Sequence, residues 1–147
     1  MKMIEEVAAE YFDNGFNCAE SALLALADYF KIDSTLVPAV ASGFGGGISR
    51  YGEVCGAVSG AVMALGAVHG RKRTQGSDRE LKEKMNGLVQ EFLKKFKERY
   101  GSLKCIDLSE CDLLSDEGRV KYKNENVHKN ICYDLVKFAV SEAGKLI

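Results

Sequence analysis

The stretch YGEVCGAVSGAVMALGAVHG, Tyr51 to Gly70, decides how this chain folds. Gly52, Gly56, Gly60 and Ala64 recur every four residues, so a helix drawn through them has one face nearly bare of side chains. Such a face lets another backbone, or a flat ligand, come close, and of the two the packing use is the commoner. The uncharged run from Val54 to Val68 is short for a membrane span, which needs about 20 apolar residues, and glycines interrupt it. It reads as a buried helix from about Glu53 to His69, closed by Gly70, with no membrane insertion.

Working outward, the preceding loop SGFGGGISR ends an earlier segment at glycines 43, 45, 46 and 47. Its exposed N–H groups before a helix invite comparison with phosphate loops, and make Gly46 and Gly47 candidate ligand-binding positions beside Gly56 and Gly60. No Gly-Lys-Ser/Thr ending follows and no strand precedes, so the nucleotide reading is weak, whereas a small anion beside Cys55, helped by Arg50, remains compatible. DSTLVPAVASGF reads as a short helix opened near Asp33 or Ser34, with Pro38 in its first turn.

Further out, Ile4, Val7, Ala8 and Tyr11 keep helical spacing up to Asn14-Gly15. Asn17 with Glu20 makes a capping box that starts a helix at Cys18, and Ser77 with Glu80 makes another before LKEKMNGLVQEFLKKFKERYG. There Leu81, Met85, Leu88, Phe92 and Phe96 form one stripe that runs unbroken across Asn86-Gly87. SDEGRVKYKNEN suggests a further helix in an otherwise polar stretch, and ICYDLVKFAVSEAGKLI closes the chain as a helix with Leu135, Phe138 and Ala139 on one side. No strand-like alternation or repeat is present. The reading is all-α: one domain over residues 1–147, a helical bundle around the Gly/Ala-rich helix.

At 147 residues the chain is long enough for a core without staples. Its 20 Lys+Arg against 21 Asp+Glu exert no long-range pull on nucleic acid, and RKRTQGSDR reads as a solvated turn. MKMIEEVAAEYF has two glutamates where an export signal needs an apolar run, so the expected compartment is cytoplasmic. Long amphipathic helices are compatible with a homodimer.

In a reducing compartment the five cysteines, Cys18, Cys55, Cys105, Cys111 and Cys132, serve chemistry, metal binding or packing rather than permanent cross-links. No two form a CxxC pair, so any joint action must be assembled by the fold. Cys18 follows its cap Asn17, Cys55 falls in the first turn of its helix, and Cys132 stands two residues after Asn130, another candidate cap. A thiol at a helix start gains from free N–H groups and the helix dipole, so these three sites are expected to favour thiolate. His69 and His128, with no metal-binding spacing, read as helix-end or surface residues.

The hexapeptide Cys55-Gly56-Ala57-Val58-Ser59-Gly60, with FNCAESAL around Cys18 and CYDLV around Cys132, resembles the C_GCAxxG_C_C family, small proteins carrying four characteristic cysteines and a CGAxxG motif. The resemblance covers nearly the whole chain. It matches the family cysteines to Cys18, Cys55, Cys105 and Cys132, with Cys111 a nearby competitor for the third, and it implies a redox role without a substrate. Two functions follow as expectations. One is thiol–disulfide exchange or electron transfer, an oxidoreductase with a disulfide or small-molecule partner, in which Cys55 attacks and Cys18 or Cys132 resolves. The other is a module binding a metal ion or iron–sulfur cluster through the same four thiols.

Overall fold

The computed structural model describes residues 1–147 and contains helices and turns but no strand. The glycine-ridged helix forms as Gly56–His69, here α4, and lies at the centre. Ala57, Val58, Ala61, Ala64 and Leu65 on it are fully or almost fully buried. Its bare face meets α2 (Cys18–Phe30) so closely that a Cβ on Gly60 would stand 2.3 Å from the Ala19 carbonyl oxygen. α1 (Ile4–Asp13), α5 (Arg79–Tyr100) and α8 (Tyr133–Gly144) complete the bundle: α1 packs on α2 and α8, α8 on α4, and α5 on α4 and α8. Phe92 and Phe96 of α5 fill the gap, both with no exposed surface.

Local chemistry explains the helix starts. Asn17 Oδ1 accepts from the Glu20 N–H at 2.8 Å while Glu20 accepts from the Asn17 N–H at 3.0 Å, the reciprocal box that fixes Cys18 as the first residue of α2. At α5 the cap is Asp78 instead of Ser77, its carboxylate accepting from the Leu81 N–H at 3.0 Å. The acidic cap one residue later also carries charge that suits the positive helix end. Gly87 faces open space, and α5 runs through it without interruption.

Other boundaries also differ from the sequence reading. α4 begins at Gly56 because residues 52–55 are hydrogen-bonded to residues 103–106 around a single antiparallel bridge between Val54 and Lys104. The Cys55 N–H donates to Leu103 O and the Cys105 N–H to Glu53 O, both at 2.7 Å. A single bridged pair has no period for a sequence to reveal. No α-helix opens at Asp33 or Ser34. The Ser34 hydroxyl accepts from the Leu36 N–H at 3.2 Å, closing a turn, and a 3-10 helix, Ala39–Phe44, starts only after Pro38. Gly45–Ile48, α3, is a single turn containing Gly46 and Gly47 at φ near +68° and +69°.

The last helical run also starts early. It begins at Val127, passes through a π turn at His128–Cys132 and continues as α8. Asn130 caps nothing: its amide donates backwards to Glu125 O at 3.0 Å. Cys132 therefore has helical backbone on both sides and is not at a free helix end. α6 (Cys105–Ser109) and α7 (Asp116–Asn124) lie against this region, α7 capped by Ser115. No helix is long and apolar enough to cross a membrane.

Candidate functional site

Four segments distant in sequence each bring one thiol to a shared cavity of 260 Å³. Cys18 comes from the start of α2, Cys55 from the residue before α4, Cys105 from the start of α6 and Cys132 from the π turn. The antiparallel bridge of Val54 with Lys104 sets Cys55 opposite Leu103 and Cys105 opposite Glu53, so the two cysteines lie diagonally across it. Capping sets Cys18, and the π turn sets Cys132, a distortion often found where a helix must aim a side chain into a site. Phe12, Leu108, Leu113 and Leu135 make much of the remaining wall. None of the thiols is bonded to another.

Cys111 is excluded. It is 1% exposed and lies off the cavity, its thiol turned to Ser109 O at 3.3 Å. Of the two neighbours left open by spacing, Cys105 is thus the one in the pocket.

The sulfur environments are unequal. Backbone N–H groups of Gly46, Ala19, Cys18 itself and Gly56 favour the charged form of the Cys18 sulfur. At Cys55, 5% exposed, the Ala57 N–H favours the charged form. Cys132 accepts from the Tyr122 hydroxyl at 3.5 Å, and Ser109 stands by Cys105. The amide-rich position expected at Cys55 therefore exists at Cys18.

Thiolate is nonetheless disfavoured throughout, opposite to the expectation from helix starts. Burial raises the Cys18 thiol above its ordinary value in spite of its four amides. Burial, then the neighbouring Cys18, pushes Cys55 up much further. Burial with Cys18 beside it raises Cys105 to about 11. Burial raises Cys132 to about 12 against the Tyr122 hydrogen bond. An apolar wall penalises the charged form more than a few dipoles favour it. Burial, then Cys132, likewise keeps Tyr122 a neutral donor.

The glycines divide between two tasks. Gly46 lines the cavity. Gly47 supports it from beneath: a Cβ there would stand 2.6 Å from Glu53 N and 2.8 Å from Cys105 Cβ. A Cβ on Gly56 would lie 2.3 Å from the Cys18 sulfur, so the motif glycine makes room for that thiol. Gly60 faces α2, away from any ligand. The bare face is filled by protein.

Of the histidines, His69 meets Leu146 O at 2.9 Å, a helix-end role as read from sequence. His128 instead stands in the cavity wall, stacked on Phe12 with centroids 3.8 Å apart and its Nε2 3.6 Å from Asp13 Oδ1. The other Asp13 oxygen accepts from the Tyr133 hydroxyl. Tyr122 and Ser109 had no signal in the sequence, because both lie in the polar stretch whose only pattern is a weak helix. As the side chains stand, no three His, Cys, Asp or Glu groups are spaced to hold a metal ion.

The family described as "Putative redox-active protein (C_GCAxxG_C_C)" matches residues 16–146 of the chain. An uncharacterised protein of Archaeoglobus fulgidus is 34% identical over 113 residues, covering 71% of this chain and 74% of that protein. No solved structure matches.

Proposed function

Given that this chain belongs to the C_GCAxxG_C_C family, we propose that its cavity carries out thiol–disulfide exchange on a small disulfide, with Cys18 as the attacking thiol. The observation that carries the reading is the meeting of Cys18, Cys55, Cys105 and Cys132 on one cavity while the fifth thiol is left out. Cys18 is preferred to Cys55 as nucleophile because four N–H groups favour its ionised form, whereas burial and then Cys18 itself push Cys55 well above its ordinary value. Those groups also offset charge as it develops on the sulfur.

The exchange balances as follows. The Cys18 thiol loses its proton to solvent and attacks one sulfur of the disulfide RSSR. The S–S bond breaks, a mixed disulfide forms, and RS⁻ leaves and takes up a proton. Cys55, whose ionisation is coupled to Cys18, then gives up its proton and attacks the Cys18 sulfur, releasing the second RSH. Two protein thiols are oxidised to one disulfide and RSSR is reduced to two RSH. Cys105 and Cys132 supply a second pair of electrons at the same cavity. An external thiol reverses the sequence.

Reduced protein mixed with 2-hydroxyethyl disulfide and read by intact mass tests this. Wild type is expected to lose two hydrogens from Cys18 and Cys55, then two more from Cys105 and Cys132. Cys55→Ser is expected to hold the mixed adduct on Cys18, and Cys18→Ser to show neither at early times. Five unmodified thiols under excess disulfide would sink the reading. Metal ligation is the competing outcome: stoichiometric iron or zinc after anaerobic purification, lost in Cys18→Ser, would replace exchange with cluster or ion binding.

A further inference from the structure

Beside the thiol cavity lies a second, wider chamber of 710 Å³, and we propose that it binds the anionic end of the substrate, so that the disulfide reduced at Cys18 is a carboxylate-bearing one. This rests on the exchange reading for its chemistry and on separate residues for its specificity.

The two spaces share Asn17, Gly46, Leu113 and Tyr122. Two of these act on a sulfur: the Gly46 N–H favours the charged form of Cys18, and the Tyr122 hydroxyl donates to Cys132 at 3.5 Å. A ligand in the chamber thus shares a wall with the thiol cavity. The chamber wall contains Arg50 and Arg119 and no Asp or Glu. Arg119 is held by Asp116 and by Leu113 O, but Arg50 meets no carboxylate within salt-bridge distance. Glu20, near the rim, is taken up by the Asn17 N–H and the Ser42 hydroxyl.

Arg50 is aimed by its backbone. Ile48, Ser49 and Arg50 all have positive φ, 64°, 48° and 73°, and the loop is tied by Arg50 N–H to Gly45 O at 3.2 Å and by the Ser49 hydroxyl to Gly43 O at 3.0 Å. This turn lays the Arg50 stem across Gly46, where an added Cβ would come within 3.3 Å of Arg50 Cγ. The Arg50 stem therefore packs beside Gly46, a residue that lines both spaces. A carboxylate on Arg50 sets the atoms a few bonds behind it at the entrance to the cavity.

The test compares single-turnover reduction of dianionic dithiodiglycolate and neutral 2-hydroxyethyl disulfide, each rate divided by that with free 2-mercaptoethanol. Wild type is expected to favour the dianion by about tenfold, the scale of one hydrogen-bonded charge pair. The preference should shrink as salt is raised. Arg50→Gln should abolish the preference and Arg50→Glu invert it. Binding of thiodiglycolate, a thioether that cannot exchange, is measured in parallel by calorimetry. Equal treatment of both disulfides, or thiodiglycolate binding that survives Arg50→Gln, overturns the proposal while exchange stands. Loss of reactivity toward both disulfides with Arg50-dependent binding of thiodiglycolate intact overturns exchange and leaves the chamber.

Discussion

At Cys18, opposing effects of different size meet on one sulfur. Four amides favour the thiolate and burial opposes it, and burial is the larger, so the group stays above its ordinary value. The reduced protein accordingly holds neutral thiols at pH 7 and ionises them only in alkali. Alkylation by iodoacetamide is expected to accelerate about tenfold per pH unit from pH 7 to 9, following the small thiolate fraction. A rate that levels off between pH 6 and 8 would reveal a low-pKa thiol and contradict this. Cys111, sealed and off the cavity, is expected to resist the reagent until the protein unfolds.

The helix pair α2 and α4 is where the glycine ridge has its effect. Without side chains at Gly56 and Gly60, the backbones approach until the Cys18 sulfur and the Ala19 carbonyl occupy the vacated space. Gly60→Ala puts a methyl 2.3 Å from that carbonyl, and neither partner is the end of a flexible side chain. Overpacking of this kind costs about 1–3 kcal/mol, so a lower urea midpoint is expected. A midpoint equal to wild type would mean the crossing is looser than described. The four-residue spacing of small residues was legible in the sequence because it lies within one helix. The π turn that aims Cys132 was not, because HKNIC carries no pattern distinguishing it from an ordinary helical turn.

For the molecule as a whole, the buried thiols tie stability to pH. Their folded values lie above the unfolded value of 9.0, reaching about 11 at Cys105 and about 12 at Cys132. In that interval the unfolded chain has released protons that the folded one retains, so stability falls as pH rises. Their contribution is complete below about pH 9 and is lost progressively above it. Urea midpoints are expected to agree at pH 7 and 8 and to drop by pH 10.5, and the drop should be smaller in the Cys105→Ala/Cys132→Ala variant. An unchanged slope in that variant would assign the effect to other groups.

The sequence alone determined the all-α class, the place of the Gly/Ala-rich helix and the cap at Asn17, because each depends on contacts within about four residues along the chain. The family followed from the same source, through the residues around Cys18, Cys55 and Cys132. Which thiols share a space, that Cys105 enters it and Cys111 does not, and that amides gather at Cys18 instead of Cys55 were decided by tertiary structure. These are relations among residues 18, 46, 55, 105, 122 and 132, joined only when the chain closes on itself. The ionisation of every sulfur was decided there too, since the penalty on charge comes from the apolar wall that packing builds around it.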